Sequence, residues 1–147
     1  MKKSSKTPFM AAPEYGQSLV GVTVNLLTPD LPRALVFQRD VLQADILHHD
    51  EDLLILRGYG SHWMVHADHT YDQHALLADT LAESRRGAGI ELRLHGCDPD
   101  ATARRAQQHG FKLLDGPRDQ PDHGLREVHI IDADCYVWVP DVPCIEA

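Results

Sequence analysis

Alternation of apolar and polar residues marks most of the strands that the chain predicts, and a longer period marks its helices. The run 19–27, Leu-Val-Gly-Val-Thr-Val-Asn-Leu-Leu, has period two. Thr28-Pro29-Asp30 then supplies an N-cap region, with Thr28 or Asp30 as the cap, for a helix reaching about Leu42. In that helix Leu31, Leu35, Phe37, Val41 and Leu42 form an apolar stripe, while Arg33, Arg39 and Asp40 are left for solvent. Short β-rich runs at 44–48, 53–57 and 62–67 follow, separated by the turn-forming clusters His49-Asp50-Glu51-Asp52 and Gly58-Tyr59-Gly60-Ser61. After a polar connection over 68–87 the order begins again. A strand at 89–95 leads to a helix that starts at Asp98-Pro99-Asp100 and closes at Gly110, and strands at 111–114, 125–131 and 135–139 follow. The pattern is a βαβββ unit written twice, over about 17–67 and 88–143, within one domain spanning 17–143. Residues 1–16 read as a disordered tail, too short and too broken by proline for a signal segment.

Reading every second strand position splits each sheet into two faces. Val22, Val24 and Leu26, with Ile90, Leu92 and Leu94, Trp63 and Val65, and Val128 and Ile130, form the set expected beneath the helices. Trp63 and Trp138 belong to that core. The opposite set is Thr23, Asn25, His62, Met64, His66, Glu91, Arg93, His95, Glu127 and His129. On a flat sheet these residues form a solvated face, and on a curled one they converge in a cleft. Periodicity alone leaves both open.

Composition narrows the chemistry. The 147 residues are enough for one core without covalent staples. Three cysteines, Cys97, Cys135 and Cys144, without a Cys-x-x-Cys pair fit free thiols in a reducing, cytoplasmic setting. With 22 acidic against 14 basic residues the net charge is −8, which disfavours a nucleic acid partner and leaves small molecules or proteins. No apolar run approaches the roughly 18 residues that would span a bilayer. Ten histidines raise a metal hypothesis. Neither a Gly-rich phosphate loop nor a Gly-x-Ser-x-Gly elbow occurs. Cys97, near a predicted helix start, reads as a small buried residue ahead of a nucleophile.

The duplicated order carries the motifs Pro29-Asp30 with Phe37-Gln38-Arg39-Asp40-Val41-Leu42, Gly89-Ile90-Glu91-Leu92-Arg93, Asp98-Pro99-Asp100 and residues 124–134. Together these resemble the vicinal oxygen chelate superfamily, the group of glyoxalases, bleomycin-resistance proteins and extradiol dioxygenases. The resemblance implies an α+β fold of two paired βαβββ modules whose curved mixed sheet surrounds a small-molecule cleft, commonly in a homodimer. Pairing within one chain or between chains stays open. In metal-using relatives the ligand positions correspond to Thr23, Met64, Glu91 and Val139 of this sequence, of which only Glu91 suits a divalent ion. Asp132-Ala133-Asp134 resembles the family's turn before the last strand, with Cys135 where relatives carry glycine.

The resemblance therefore implies a metal-independent binding protein of the bleomycin-resistance type, without a cofactor. Its cleft would be lined by Thr23, Asn25, Met64, Glu91, Arg93 and Glu127 and would take a cationic or aromatic compound. The alternative is a lyase, isomerase or dioxygenase using zinc, nickel, manganese or iron at a displaced site. His62 and His66 lie ~13 Å apart along a strand at about 3.3 Å per residue, wide for joint ligation. His66, Asp68, His69 and His74 offer a loop-borne candidate. Glu91 and Arg93, about 6.6 Å apart on one face, are placed to ion-pair and so to consume the remaining ligand. His123 and Arg126, from a turn-rich loop, are either ligand contacts or surface caps.

Overall fold

The computed structural model describes residues 1–6, 9–83 and 86–144. Its elements are α1 (Ala12–Ser18), β1 (Val24–Thr28), α2 (Leu31–Val36) continued by a π-helical turn (Phe37–Val41), β2 (Asp45–His49), β3 (Leu53–Gly58) and β4 (Ser61–Ala67). A 3-10 turn (Asp68–Tyr71) and α3 (Ala75–Glu83) lead to β5 (Glu91–His95), α4 (Pro99–Gln108), β6 (Lys112–Gln120), β7 (Leu125–Ile131) and β8 (Val137–Pro143). The βαβββ order occurs twice and makes two four-stranded sheets, β1-β4-β3-β2 and β5-β8-β7-β6. In each, the first strand runs parallel to the last and the remaining pairs are antiparallel. This is the expected α+β architecture, with no closed barrel.

Both main helices begin where their caps dictate. Asp30 accepts the Arg33 N–H at 3.0 Å, and Asp98 accepts those of Asp100 and Ala101 at 3.0 and 3.1 Å. A proline in each first turn removes an N–H that would otherwise lack a partner. Strand alternation then sends Leu26, Leu54, Leu56, Trp63 and Val65 of the first module beneath the helices, with Leu94, Val128, Ile130 and Trp138 of the second. They merge into one core. Phe37 sits at the join, its ring 4.8 Å from Phe111 and 6.1 Å from Trp138, and Trp63 lies 5.9 Å from Trp138. Burial of each such side chain stabilises the fold by roughly 1.5–3 kcal/mol. The two modules thus pair within the chain. Polar ties cross the same join: the Tyr136 hydroxyl donates to the Leu27 carbonyl at 3.0 Å, and the Arg105 guanidinium donates to the Val41 carbonyl at 2.9 Å.

The structure departs from the sequence reading in five places. Val22 and Ile90, expected in the core, are 92% and 53% exposed. β1 and β5 begin only after them, because Gly21 and Gly89 at positive φ turn the chain immediately before each. Residues 12–18, of which 12–16 read as part of a structureless tail, form α1, with a proline and Glu14 in its first turn and Tyr15 buried against the first sheet. The polar connection contains α3, whose Leu76 and Leu81 stay exposed and so give a weak signal. β6 continues through Gly116-Pro117 by bulging against β7, and β8 starts two residues late and runs on through Pro140.

Candidate functional site

One cavity of about 340 Å³ lies between the first sheet and α1. Met64 is in register with Ile55 and Asn25, and His66 with Leu53 and Leu27, so alternation delivers a continuous wall of Leu53, Ile55, Met64 and His66. Met10, Tyr15 and Leu19 close it from the N-terminal side, and Lys2, Ser4 and Lys6 complete the rim. Tyr15 is held by its hydroxyl, 3.5 Å from His62 Nδ1, and by an edge contact with Phe9. The volume lies within the range of small-ligand pockets, roughly 300–1,000 Å³. His66 Nε2 is buried and has no hydrogen-bond partner, the one such side-chain atom among the described residues. Burial, reinforced by Lys2, holds the imidazole below its usual pKa, so it is neutral near pH 7. A larger depression of about 590 Å³ lies between residues 4–6, α2 and the β2–β3 turn, but it holds no orphaned polar atom.

The roof of the cavity is anchored by Asp52. Its carboxylate is buried and accepts the Lys3 N–H at 2.7 Å and the Ser4 N–H at 3.0 Å, with His69 Nε2 at 2.8 Å. Asp50 is satisfied too, by the Asp52 and Leu53 N–H groups and His48 Nε2, each at 2.8–3.0 Å. Burial pushes the Asp50 carboxyl up, yet the Asp52 N–H, the Ser4 side chain, His48 and the Leu53 N–H together prevail and bring it to about 2.

The second sheet carries a different constellation on the equivalent face. Arg93 bonds Glu127 and lies 3.3 Å from Asp141 and 3.4 Å from Glu91. His95 Nδ1 meets Asp141 at 2.8 Å, and His129 Nε2 meets Glu91 at 3.2 Å. Glu127 and Asp141 are 4% and 1% exposed. Burial works against the Arg93 charge, but Glu127 and Asp141 outweigh it and hold the guanidinium above its usual pKa. The expected Glu91–Arg93 pair is present. Asp141 was missed because the last strand was expected to stop at Val139; two residues further on, it shares that residue's face and pairs with Glu127 in register.

The six residues expected to line one cleft are therefore divided. Met64 lines the first-module cavity. Asn25 borders a second space of about 340 Å³ at the seam between β1 and β5, beneath α3. Glu91 and Arg93 line a smaller space of about 220 Å³ with Tyr59, His62 and His95. Glu127 lies inside the ion network, and Thr23 precedes β1, half-buried, outside these cavities. The family's ligand positions do not fit a divalent ion: Thr23, Met64 and Val139 offer no suitable donor, and Glu91 is engaged by Arg93 and His129. The loop candidate disperses, with Asp68 on Arg86, His69 on Asp52 and His74 accepting from Leu76 N–H. Among the described residues no three His, Cys, Asp or Glu side chains are grouped to hold a metal. Cys97 is buried beside Thr102, and Arg126 is bound to Asp100 at the start of α4.

Residues 21–139 match the family model of the Glyoxalase/Bleomycin resistance protein/Dioxygenase superfamily, and the chain belongs to that family. No curated protein sequence matches it. Among solved structures, it resembles a glyoxalase-related enzyme from Fulvimarina pelagi at 18% identity and TM-score 0.67, over 88% of this chain and 94% of the other. A glyoxalase/bleomycin resistance protein/dioxygenase family enzyme from Burkholderia phytofirmans PsJN aligns at 17% identity and TM-score 0.64, over 83% and 97%. TnmS3, an antibiotic-binding protein from Streptomyces sp. CB03234, aligns at 20% identity and TM-score 0.60, over 86% and 98%. At these identities the likeness is one of fold. No helix among the described residues is long and apolar enough to cross a membrane.

Proposed function

We propose that this chain is a metal-independent small-molecule-binding protein whose ligand is aromatic and sits in the first-module cavity. The observation that carries this reading is the buried, unpartnered His66 Nε2 on a strand wall it shares with Leu53, Ile55 and Met64. A buried polar atom without a partner costs about 1–3 kcal/mol, which a ligand hydrogen bond would recover. TnmS3, which shares the fold, is described as antibiotic-binding, in keeping with a ligand-holding role. A lyase, isomerase or dioxygenase of this family would need about three protein ligands around its ion. Here Thr23, Met64 and Val139 offer no suitable donor, and Glu91 is engaged by Arg93 and His129. A homodimer and a cytoplasmic setting belong to the same proposal: Val20, Val22 and Ile90 are exposed and apolar, and the cysteines are unbonded.

Metal analysis of purified protein beside a thermal-shift screen of aromatic compounds tests the reading. Stabilisation by an aromatic compound in metal-free protein, lost in His66→Phe, is expected, since a ligand of the native state stabilises it by RT ln(1 + [L]/Kd). Stoichiometric tightly held metal would overturn it. Light scattering after size exclusion tests the dimer.

A further inference from the structure

The charges around the first-module cavity are unequal in a way that net composition hides. Two carboxylates, Asp50 and Asp52, and two ammonium-bearing residues, Lys2 and Lys6, line it beside His48 and His66. An ionised carboxylate accepts about four hydrogen bonds. Asp50 and Asp52 each already take at least three from this chain, all N–H groups for Asp52 and with the Ser4 side chain as a further donor for Asp50. Most acceptor positions of both carboxylates are thereby filled by fixed donors of this chain. Lys2 and Lys6, by contrast, form no ion pair among the described residues. Their placement is not accidental to the backbone. Asp52 grips the N–H groups of Lys3 and Ser4, which lie between the two lysines in the chain, and so pins the segment that brings both ammonium groups to the rim.

We infer that the cavity selects an aromatic carboxylate, its ring against Ile55, Met64 and Tyr15 and its charge met by His66 Nε2 and by Lys2 and Lys6. This rests on the reading of the cavity as the ligand site. A neutral imidazole can present Nε2–H to a carboxylate oxygen, and burial keeps His66 neutral. The lysines add charge at the open side, where a carboxylate that enters last keeps part of its hydration. The N-terminal segment is then both roof and recognition element. The acidic balance of the whole chain does not describe this site, where the acceptor positions of both acids are largely filled from within the chain.

The test uses the full chain and three probes of matched ring and different charge: naphthoate, naphthol and naphthylmethylammonium. Each is titrated by calorimetry at one ionic strength into wild type, Lys2→Gln/Lys6→Gln and His66→Phe, with far-ultraviolet circular dichroism as the control for folding. The expected result is naphthoate bound at least about tenfold more tightly than either other probe, the margin of one charge-assisted hydrogen bond. The lysine double variant should bring naphthoate to the level of naphthol while leaving naphthol unchanged, and His66→Phe should weaken naphthoate further. Equal or tighter binding of naphthol or the ammonium probe, still dependent on His66, would overturn the anion preference and leave the cavity as the ligand site. No probe binding in a His66-dependent way to folded protein would overturn both.

Discussion

Gly87 lies directly against the Cys135 carbonyl: a Cβ at Gly87 would stand 2.0 Å from that oxygen and 2.5 Å from its carbon. The contact presses the turn before β8 onto the segment that enters β5, and Gly87 also holds φ at +75°. Both demands exclude a side chain. Gly87→Ala should therefore lower stability by about 2 kcal/mol or more, since overpacking and a left-handed non-glycine residue each cost on the order of 1–3 kcal/mol. Urea denaturation reads the loss. An unchanged midpoint would mean that the turn does not rest on this segment.

The other partner in that contact is strained in its own right. Cys135 has φ of 67° and an exposed side chain, at the position where the sequence motif resembles one that carries glycine. Replacing it with glycine relieves about 1–2 kcal/mol of left-handed strain and costs about 0.5–1 kcal/mol in unfolded-chain entropy. Cys135→Gly should thus leave the melting temperature unchanged or slightly raised. A fall of several degrees would show that the thiol is packed.

Tyr136 joins the modules through a backbone edge. Its hydroxyl bonds both the Leu27 carbonyl and, at 3.3 Å, the Leu27 N–H, in a buried setting. Arg86 also reaches that carbonyl, at 2.8 Å, so Tyr136→Phe strands chiefly the N–H. The expected cost is about 1–3 kcal/mol, and hydrogen exchange at Leu27 should quicken more than exchange in β7. Equal protection in both proteins would place the module join elsewhere.

These residues also show what the sequence could tell. Asp30 and Asp98 announced their helices because a capping carboxylate is a local signal, and alternation placed Trp63, Val65, Val128 and Ile130 in the core because a strand has only two faces. Asp141 stayed hidden because Pro140 looked like the end of a strand, although it lies in register with Leu94. The cavity around His66 stayed hidden for a different reason. Its roof is a lysine- and serine-bearing segment without periodicity, held by Asp52 from almost fifty residues away, and no local pattern encodes that contact. Six residues that share faces were expected to share a cleft, but face is a property of a strand, whereas a cleft depends on what covers the sheet.

Asp132 offers a titration that can be watched from its neighbour. Burial pushes this carboxyl up to about 6, although it accepts N–H groups from Asp134 and Tyr136 and the indole N–H of Trp138 at 2.9 Å. Tryptophan emission should shift with a midpoint near 6, and Asp132→Asn should abolish that shift. The stability sign follows from the same direction. A folded pKa above the unfolded value of 3.8 makes this group's contribution fully present below pH 3.8 and lost as pH rises through about 6. Emission flat between pH 4 and 8 would refute the raised carboxyl.

Arg93 is the single cation among three carboxylates on the second sheet, two of them almost fully buried. Removing it while keeping the carboxylates leaves Glu127 and Asp141 facing each other in register with only His95 at hand. Arg93→Met should cost about 3–5 kcal/mol at pH 7, the usual penalty for a buried charge that loses its partner. The loss should shrink as pH falls, because uncompensated carboxylates take up protons more readily in the folded state, so stability in this variant rises toward acid. Adding Glu127→Gln removes half of the exposed conflict and should recover a substantial part of the loss, which a purely steric role for Arg93 would not allow. Chemical denaturation of the three proteins at pH 5 and pH 7 decides it: a loss below about 1 kcal/mol in Arg93→Met is the range of a solvated surface pair, and would mean that water, not Arg93, balances these acids.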